Sequence, residues 1–236
     1  MRTKALLALL VCSLGLMGCN QDAKKTPEAN NEPTNETEAP KPSLSDVPAD
    51  LKHAAYEYYG LTNPKQVDME IVVDGGARVL TGTQTVELVS LEGGNAVFRI
   101  ERTGQLATLG SMDISVEKDG LYAKSASIGQ ITRSLELPAD LAVGKEWTSE
   151  LSLESSGGEM KQKSTMKAVR TETVKTKAGE FKDALRVEGT GTGTFNGQAM
   201  TMKMTGWYVK GEGPVRLETE MTKPDGTKTT QAIERT

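Results

Sequence analysis

Strict alternation of apolar and polar residues, which dominates the chain after residue 60, constrains the fold more than any other feature. Successive side chains of a β-strand point to opposite faces of the sheet, so a period of two predicts a strand with one apolar face. Six segments show the pattern, and their apolar members are Val67, Met69, Ile71 and Val73; Phe98 and Ile100; Met112, Ile114 and Val116; Ile131, Leu135 and Leu137; Trp147, Leu151 and Leu153; and Val215, Leu217 and Met221. Antiparallel sheets with one buried face have this signature.

Turn signals separate these segments. Glycine, asparagine or aspartate stands at each break, as hairpin turns with positive φ require, at residues 74–76, 92–95, 118–120, 156–158, 196–197 and 224–226. About ten strands in meander order follow from this spacing. A twisted sheet of that size curls or splits into layers. We therefore predict an all-β domain built on a large curved antiparallel meander sheet, shaped as a half-barrel or an open sandwich.

One short helix is predicted before the strands, over Pro48 to Tyr59. Proline suits a first helical turn, alanine and leucine favour helix, and Gly60 provides a stop. His53, the single histidine of the chain, falls within this helix and is predicted to be a surface residue.

The first 18 residues have the pattern of a secretory signal peptide. Arg2 and Lys4 precede a short apolar run that ends at Leu16-Met17-Gly18-Cys19. This ending resembles a bacterial lipobox, and the resemblance implies that Cys19 carries a diacylglyceryl group as the mature N-terminus. The alternative is an ordinary signal peptide cut elsewhere. Lipidation at Cys19 predicts an envelope protein anchored to the outer membrane if the source has one, or otherwise to the plasma membrane surface.

Residues 19–47 form a predicted disordered tether rich in proline and glutamate. The segment has almost no apolar residue before Leu44, so it cannot bury enough surface to offset the entropy of ordering it. The remaining residues, 48–236, are predicted to form a single antiparallel β domain, which is long enough to build its own core.

Composition excludes several classes of function. The chain has 32 acidic and 28 basic residues, for a net charge of −4, which gives no electrostatic reason to bind nucleic acid. One histidine and no free thiol after lipidation exclude ordinary zinc sites, and no Gly-x-Ser-x-Gly elbow is present. We therefore expect no catalytic residue, no metal and no cofactor, and thus not an enzyme.

A run of alternating glycine and threonine is the one segment with a possible ligand role. Its glycines, if they face inward, mark either tight sheet curvature or an unfilled groove for an apolar ligand. Methionines on the next strand can fill irregular core space or line an adaptable cavity. The candidate groove residues are Gly189, Gly191, Gly193, Met200, Met202 and Met204.

Three motifs in the second half carry a resemblance to a known family. Residues 137–147 end in Val-Gly-x-x-Trp, residues 176–187 contain an Ala-Gly-x-Phe hairpin, and residues 206–218 hold a Trp-Tyr, Gly-x-Gly, Val-Arg hairpin. In this order they resemble the DUF3108-like, or TapB-type, group of exported and lipid-anchored bacterial proteins, over about residues 137–221. The resemblance implies a curved antiparallel β-sheet and an envelope address, and it transfers no catalytic residue.

Two functional hypotheses follow. The favoured one is a non-enzymatic membrane-anchored envelope lipoprotein that binds another envelope component or acts as a scaffold. The alternative is a carrier or sensor of an apolar or lipid ligand, held in the hollow of the curved sheet. A co-purified lipid would favour the second hypothesis.

Overall fold

The computed structural model describes residues 41–236, so the signal peptide, Cys19 and most of the predicted tether lie outside the described residues. The described chain is mostly strand, with one α-helix, α1 (Ala54–Tyr58), and four 3-10 turns. The strands are β1 (Val67–Val73), β2 (Arg78–Glu92), β3 (Asn95–Arg102), β4 (Met112–Glu117), β5 (Gly120–Ala126), β6 (Gly129–Ile131), β7 (Ser134–Pro138), β8 (Glu146–Ser155), β9 (Gly158–Thr176), β10 (Gly179–Phe195), β11 (Gln198–Val209), β12 (Gly213–Thr222) and β13 (Lys228–Arg235). The all-β class is therefore confirmed, with more strands than the turn spacing predicts.

Twelve of these strands close into an antiparallel barrel, which corrects the predicted half-barrel or open sandwich. The order around the ring is β4-β3-β2-β1-β13-β12-β11-β10-β9-β8-β6-β5, and pairing of β4 with β5 closes it. The remaining strand, β7, pairs with the same edge of β5 as β6 does, and it therefore also contributes to the barrel wall. Closure is favourable because it pairs the backbone groups that two open sheet edges would leave exposed.

The predicted helix over residues 48–59 is divided into two parts. A 3-10 turn spans Ala49–Leu51, Lys52 leaves the helical region with φ −84° and ψ 47°, and His53 caps α1. Nδ1 of His53 accepts from the Tyr56 N–H at 3.4 Å, and Nε2 lies 2.9 Å from the Glu117 carbonyl oxygen. His53 is therefore a part-buried residue that joins α1 to β4, which corrects its prediction as a surface residue.

The segment around α1 covers one end of the barrel. Leu51 and Leu61 are fully buried, and Tyr56 meets Phe98 of β3 edge-on with 6.0 Å between ring centroids. The Gly211 N–H, in the turn between β11 and β12, donates to the Glu57 carbonyl oxygen at 2.9 Å. The chain enters the domain at this covered end, because the residues that precede α1 lie there.

The last residues of the predicted tether pack on the barrel. Leu44–Asp46 form a 3-10 turn with a capping box from Ser43, and Val47 is 3% exposed within the main core cluster. Among the described residues, the packed domain therefore includes Leu44–Asp46 and Val47, which lie before the predicted boundary at residue 48.

The two tryptophans are buried in different clusters. Trp147 belongs to the main core, and its indole N–H has no hydrogen-bond partner in the described chain. Trp207 lies in a smaller cluster, where its N–H donates to a carboxylate oxygen of Glu172 at 2.8 Å. The guanidinium groups of Arg186 and Arg216 lie 5.6 and 5.7 Å from the Trp207 ring centroid, within cation–π range. These charged neighbours cover Trp207.

Candidate functional site

A cavity of about 110 Å³ lies inside the barrel, walled mainly by β7 to β13 and by Tyr59 from the segment after α1. Nine of its eighteen lining residues are apolar or aromatic: Tyr59, Leu151, Met166, Val187, Met204, Tyr208, Pro214, Leu217 and Ile233. Gly206 and a polar set complete the wall: Ser134, Glu136, Ser149, Gln162, Thr205, Glu218, Thr219 and Gln231. A mostly apolar cavity with a few polar groups is the usual form of a small-molecule site.

Strand β7 supplies two of the polar groups. The alternation in this strand predicts Ser134 and Glu136 on a solvent face, opposite Leu135 and Leu137. Instead, Leu137 is buried in the main core while Ser134 and Glu136 line the cavity. The prediction of a solvent face was wrong because other parts of the protein cover both faces of β7. Alternation shows that two residues lie on opposite faces of a strand, but it does not show which face contacts water.

Glu136 is the most perturbed group of the cavity. Burial raises the pKa of its carboxyl to about 7, because the charged form loses hydration. Among the ion pairs of residues 41–236, none involves Glu136. The other lining carboxylate, Glu218, accepts from Arg216 Nε at 2.9 Å and from its Nη2 at 2.6 Å. Within the cavity, Glu136 is thus the carboxylate that lacks a cation.

Gln162 of β9 adds a second unsatisfied polar atom. The residue is 7% exposed, its Nε2 donates to Ser164 Oγ at 2.7 Å, and its Oε1 has no partner in the described chain. If the amide of Gln162 were turned by 180°, its oxygen would accept from Ser164 Oγ and Nε2 would be the unpaired atom instead. Ser134 Oγ and Ser149 Oγ are 3.0 Å apart and satisfy each other.

The candidate groove residues separate into two groups in the structure. Gly189, Gly191 and Gly193 pair directly with Met204, Met202 and Met200 across β10 and β11, so all six share one sheet face. Met200 and Met202 are buried in a cluster whose other buried members are Leu151, Leu153, Met160 and Met221. Of the six, only Met204 lines the cavity. The sequence argument missed Glu136 and Gln162, because a polar residue at an inward position looks the same as one at an outward position.

The three glycines leave little space beside them. A Cβ on Gly191 would collide with Ser164 Oγ and lie 2.8 Å from the Lys163 carbonyl oxygen, and one on Gly189 would lie 2.9 Å from Met166 Cε. Strand β9 therefore approaches β10 closely here, as expected where glycine interrupts a strand.

Gly191→Val is expected to lower the free energy of unfolding by about 1–3 kcal/mol, since the added side chain overpacks the contact with β9. Urea denaturation would measure the change. Thr192→Val, at the exposed neighbouring position, is the matched control and should stay within about 0.5 kcal/mol of wild type. An unchanged midpoint for Gly191→Val would show that the space beside Gly191 is open.

Residues 41–236 contain neither a metal-binding cluster nor a membrane-spanning helix. No group of three or more histidine, cysteine, aspartate or glutamate side chains in this range is placed to hold a metal ion. None of the helices in this range has the length and apolar character needed to span a membrane.

No family model matches this chain, and no curated protein matches it. The DUF3108-like, or TapB-type, resemblance of residues 137–221 therefore stays a prediction.

Comparison with solved structures, in contrast, finds proteins of similar fold. A protein assigned as a lipoprotein from Parabacteroides distasonis aligns with a TM-score of 0.50 and 13% identity, over 76% of this chain and 98% of that chain. A protein assigned as exported, with a YmcC-like fold, from Bacteroides fragilis aligns with a TM-score of 0.51 and 14% identity, over 72% of this chain and 94% of that chain. At these identities the likeness is one of fold: the described chain shares its β architecture with proteins assigned to the exported and lipoprotein classes.

Proposed function

We propose that this chain is an exported, lipid-anchored envelope protein without catalytic activity, and that its barrel binds a small, largely apolar ligand. The observation that carries the proposal is the cavity of about 110 Å³ inside a closed barrel. For scale, an apolar cavity of about 150 Å³ accepts benzene. The cavity here is smaller but is not fully enclosed, so it would hold a single ring in part or one end of a longer apolar molecule.

The outer surface favours this hypothesis over a scaffold that binds another envelope component. Val79 and Val143 are the exposed large hydrophobic residues of the described chain, 44% and 56% exposed, and they stand in β2 and in the loop before β8. A large contiguous apolar patch on the surface marks a site of protein interaction. Two separate valines do not make such a patch.

Binding of toluene tests the proposed ligand site. The purified full-length chain should bind it saturably by calorimetry, with protein-free micelles as the blank. Leu217→Trp should abolish binding because the larger ring fills the cavity, whereas Val79→Trp on the surface should leave it intact. If wild type binds no toluene while a cross-linker captures an envelope protein on its surface, the scaffold hypothesis is the better one.

Cys19→Ala is expected to remove the lipid anchor and to move the protein from the membrane to the soluble fraction. Cys19 follows the lipobox-like Leu-Met-Gly, and the diacylglyceryl group would be attached to its thiol. Labelling with radioactive palmitate, followed by fractionation, checks this result. Cys12→Ala, inside the signal peptide, should keep the label. Anchoring at Cys19 is contradicted if the wild-type protein carries no label.

A further inference from the structure

Glu136 places an uncompensated acid within a largely apolar cavity. No hydrogen bond or ion pair of the described chain satisfies its carboxylate, and the other titratable groups that line the cavity are Tyr59, Tyr208 and Glu218. Tyrosine is neutral near pH 7, and Glu218 is paired with Arg216. Glu136 is only partly exposed, and the cavity wall covers most of its side chain, so its unpaired carboxylate is incompletely hydrated and favours a partner that brings positive charge.

Gln162 provides an independent sign that the cavity accepts a polar group. More than nine-tenths of this residue is buried, and one atom of its amide has no partner among the described residues. Buried polar atoms are nearly always hydrogen-bonded in native proteins, so an orphan atom in a cavity wall requires an explanation. A hydrogen-bonding ligand explains both Gln162 and Glu136.

A seam in the barrel wall lies beside these groups. Strands β7 and β8 follow one another in the chain, yet in the described structure no ladder pairing joins them, and β7 pairs only with β5. Contact across the seam includes the 3.0 Å approach of Ser134 Oγ to Ser149 Oγ, and both serines line the cavity. Side-chain contact, and not a hydrogen-bonded strand pair, therefore closes the wall beside Glu136.

We propose that the ligand of this cavity is a small primary amine, whose ammonium group pairs with Glu136 and whose apolar body lies against Val187, Met204 and Leu217. The inference rests on the proposed function and specifies its ligand class. An ammonium group supplies both the positive charge that Glu136 lacks and further donors for neighbouring acceptors.

Three probes of similar size test the ligand class: benzylamine, benzyl alcohol and toluene. At about pH 8 wild type should bind benzylamine about tenfold more tightly than benzyl alcohol, as a charge-assisted hydrogen bond would provide. The preference should shrink below pH 7, because Glu136 becomes protonated while benzylamine remains an ammonium ion. Calorimetry on the full-length chain measures all three affinities.

Two variants make the test specific. Glu136→Gln should lose the preference for benzylamine and keep its affinity for toluene, which shows that the barrel is still folded. Glu92→Gln, which alters an exposed carboxylate outside the cavity, should keep the preference. Equal binding of benzylamine and benzyl alcohol by wild type, or a preference that survives Glu136→Gln, would overturn the amine proposal alone. Failure of all three probes to bind would overturn the proposed function as well.

Discussion

Trp147→Ala is expected to lower the free energy of unfolding by about 3–5 kcal/mol, as truncation of a buried aromatic residue does. Trp147 is 7% exposed and belongs to the core cluster that contains Leu137, Leu141 and Val187. That cluster joins the barrel wall to the segment around α1, so truncation to alanine would leave a cavity where the two meet.

Urea denaturation with tryptophan-independent detection, such as circular dichroism, measures this effect. Trp147→Phe should cost clearly less, because it keeps a ring and removes an indole N–H that has no partner in the described chain. Val143→Ala, in the exposed loop before β8, should change the free energy by less than about 0.5 kcal/mol. A midpoint for Trp147→Ala equal to that of Val143→Ala would place the indole outside the core.

Glu136→Gln is expected to stabilise the protein by up to about 3 kcal/mol near pH 8 and to have almost no effect near pH 4. The pKa of Glu136 is raised from 4.5 to about 7 in the folded chain. Between these two values the folded state binds more protons than the unfolded state, so wild-type stability falls as the pH rises. Below the lower value the carboxyl is neutral in both states, and glutamine resembles it.

Denaturation at several pH values measures this difference between variant and wild type. The difference should grow from about pH 4.5 and level off above about pH 7, where both states are ionised. Glu92→Gln, at an exposed position outside the cavity, is the control and should change the free energy by less than about 0.5 kcal/mol at each pH. A stability difference for Glu136→Gln that stays the same from pH 4 to pH 8 would contradict the raised pKa.

The positions of individual strands were largely predictable from local pattern. Val67–Val73 and Met112–Glu117 occur where alternation predicts strands, and Asn196-Gly197 turns between β10 and β11 with both φ angles positive. Such features depend on neighbouring residues only, because side-chain alternation and turn geometry are local. The helix over residues 48–59 was less predictable, because its break at Lys52 and His53 depends on a contact with Glu117, 64 positions away.

The candidate site was only partly predictable. Met204 was among the residues singled out from the sequence, and it lines the cavity. Gly189, Gly191 and Gly193 instead allow close approach of β9, where Met166, Ser164 and Gln162 stand opposite them in register. No local signal distinguishes a strand glycine that opens a groove from one that admits a neighbouring strand.

Local residue pattern is enough to predict antiparallel strands and the positions of most turns between them. The closure of the sheet through β4 and β5 and the inward position of Glu136 are visible only in the assembled fold. The reason is physical: strand formation follows from local alternation, whereas closure depends on twist accumulated over the whole sheet. The environment of Glu136 likewise depends on which distant strands surround it, and the alternation of residues within β7 does not identify those strands.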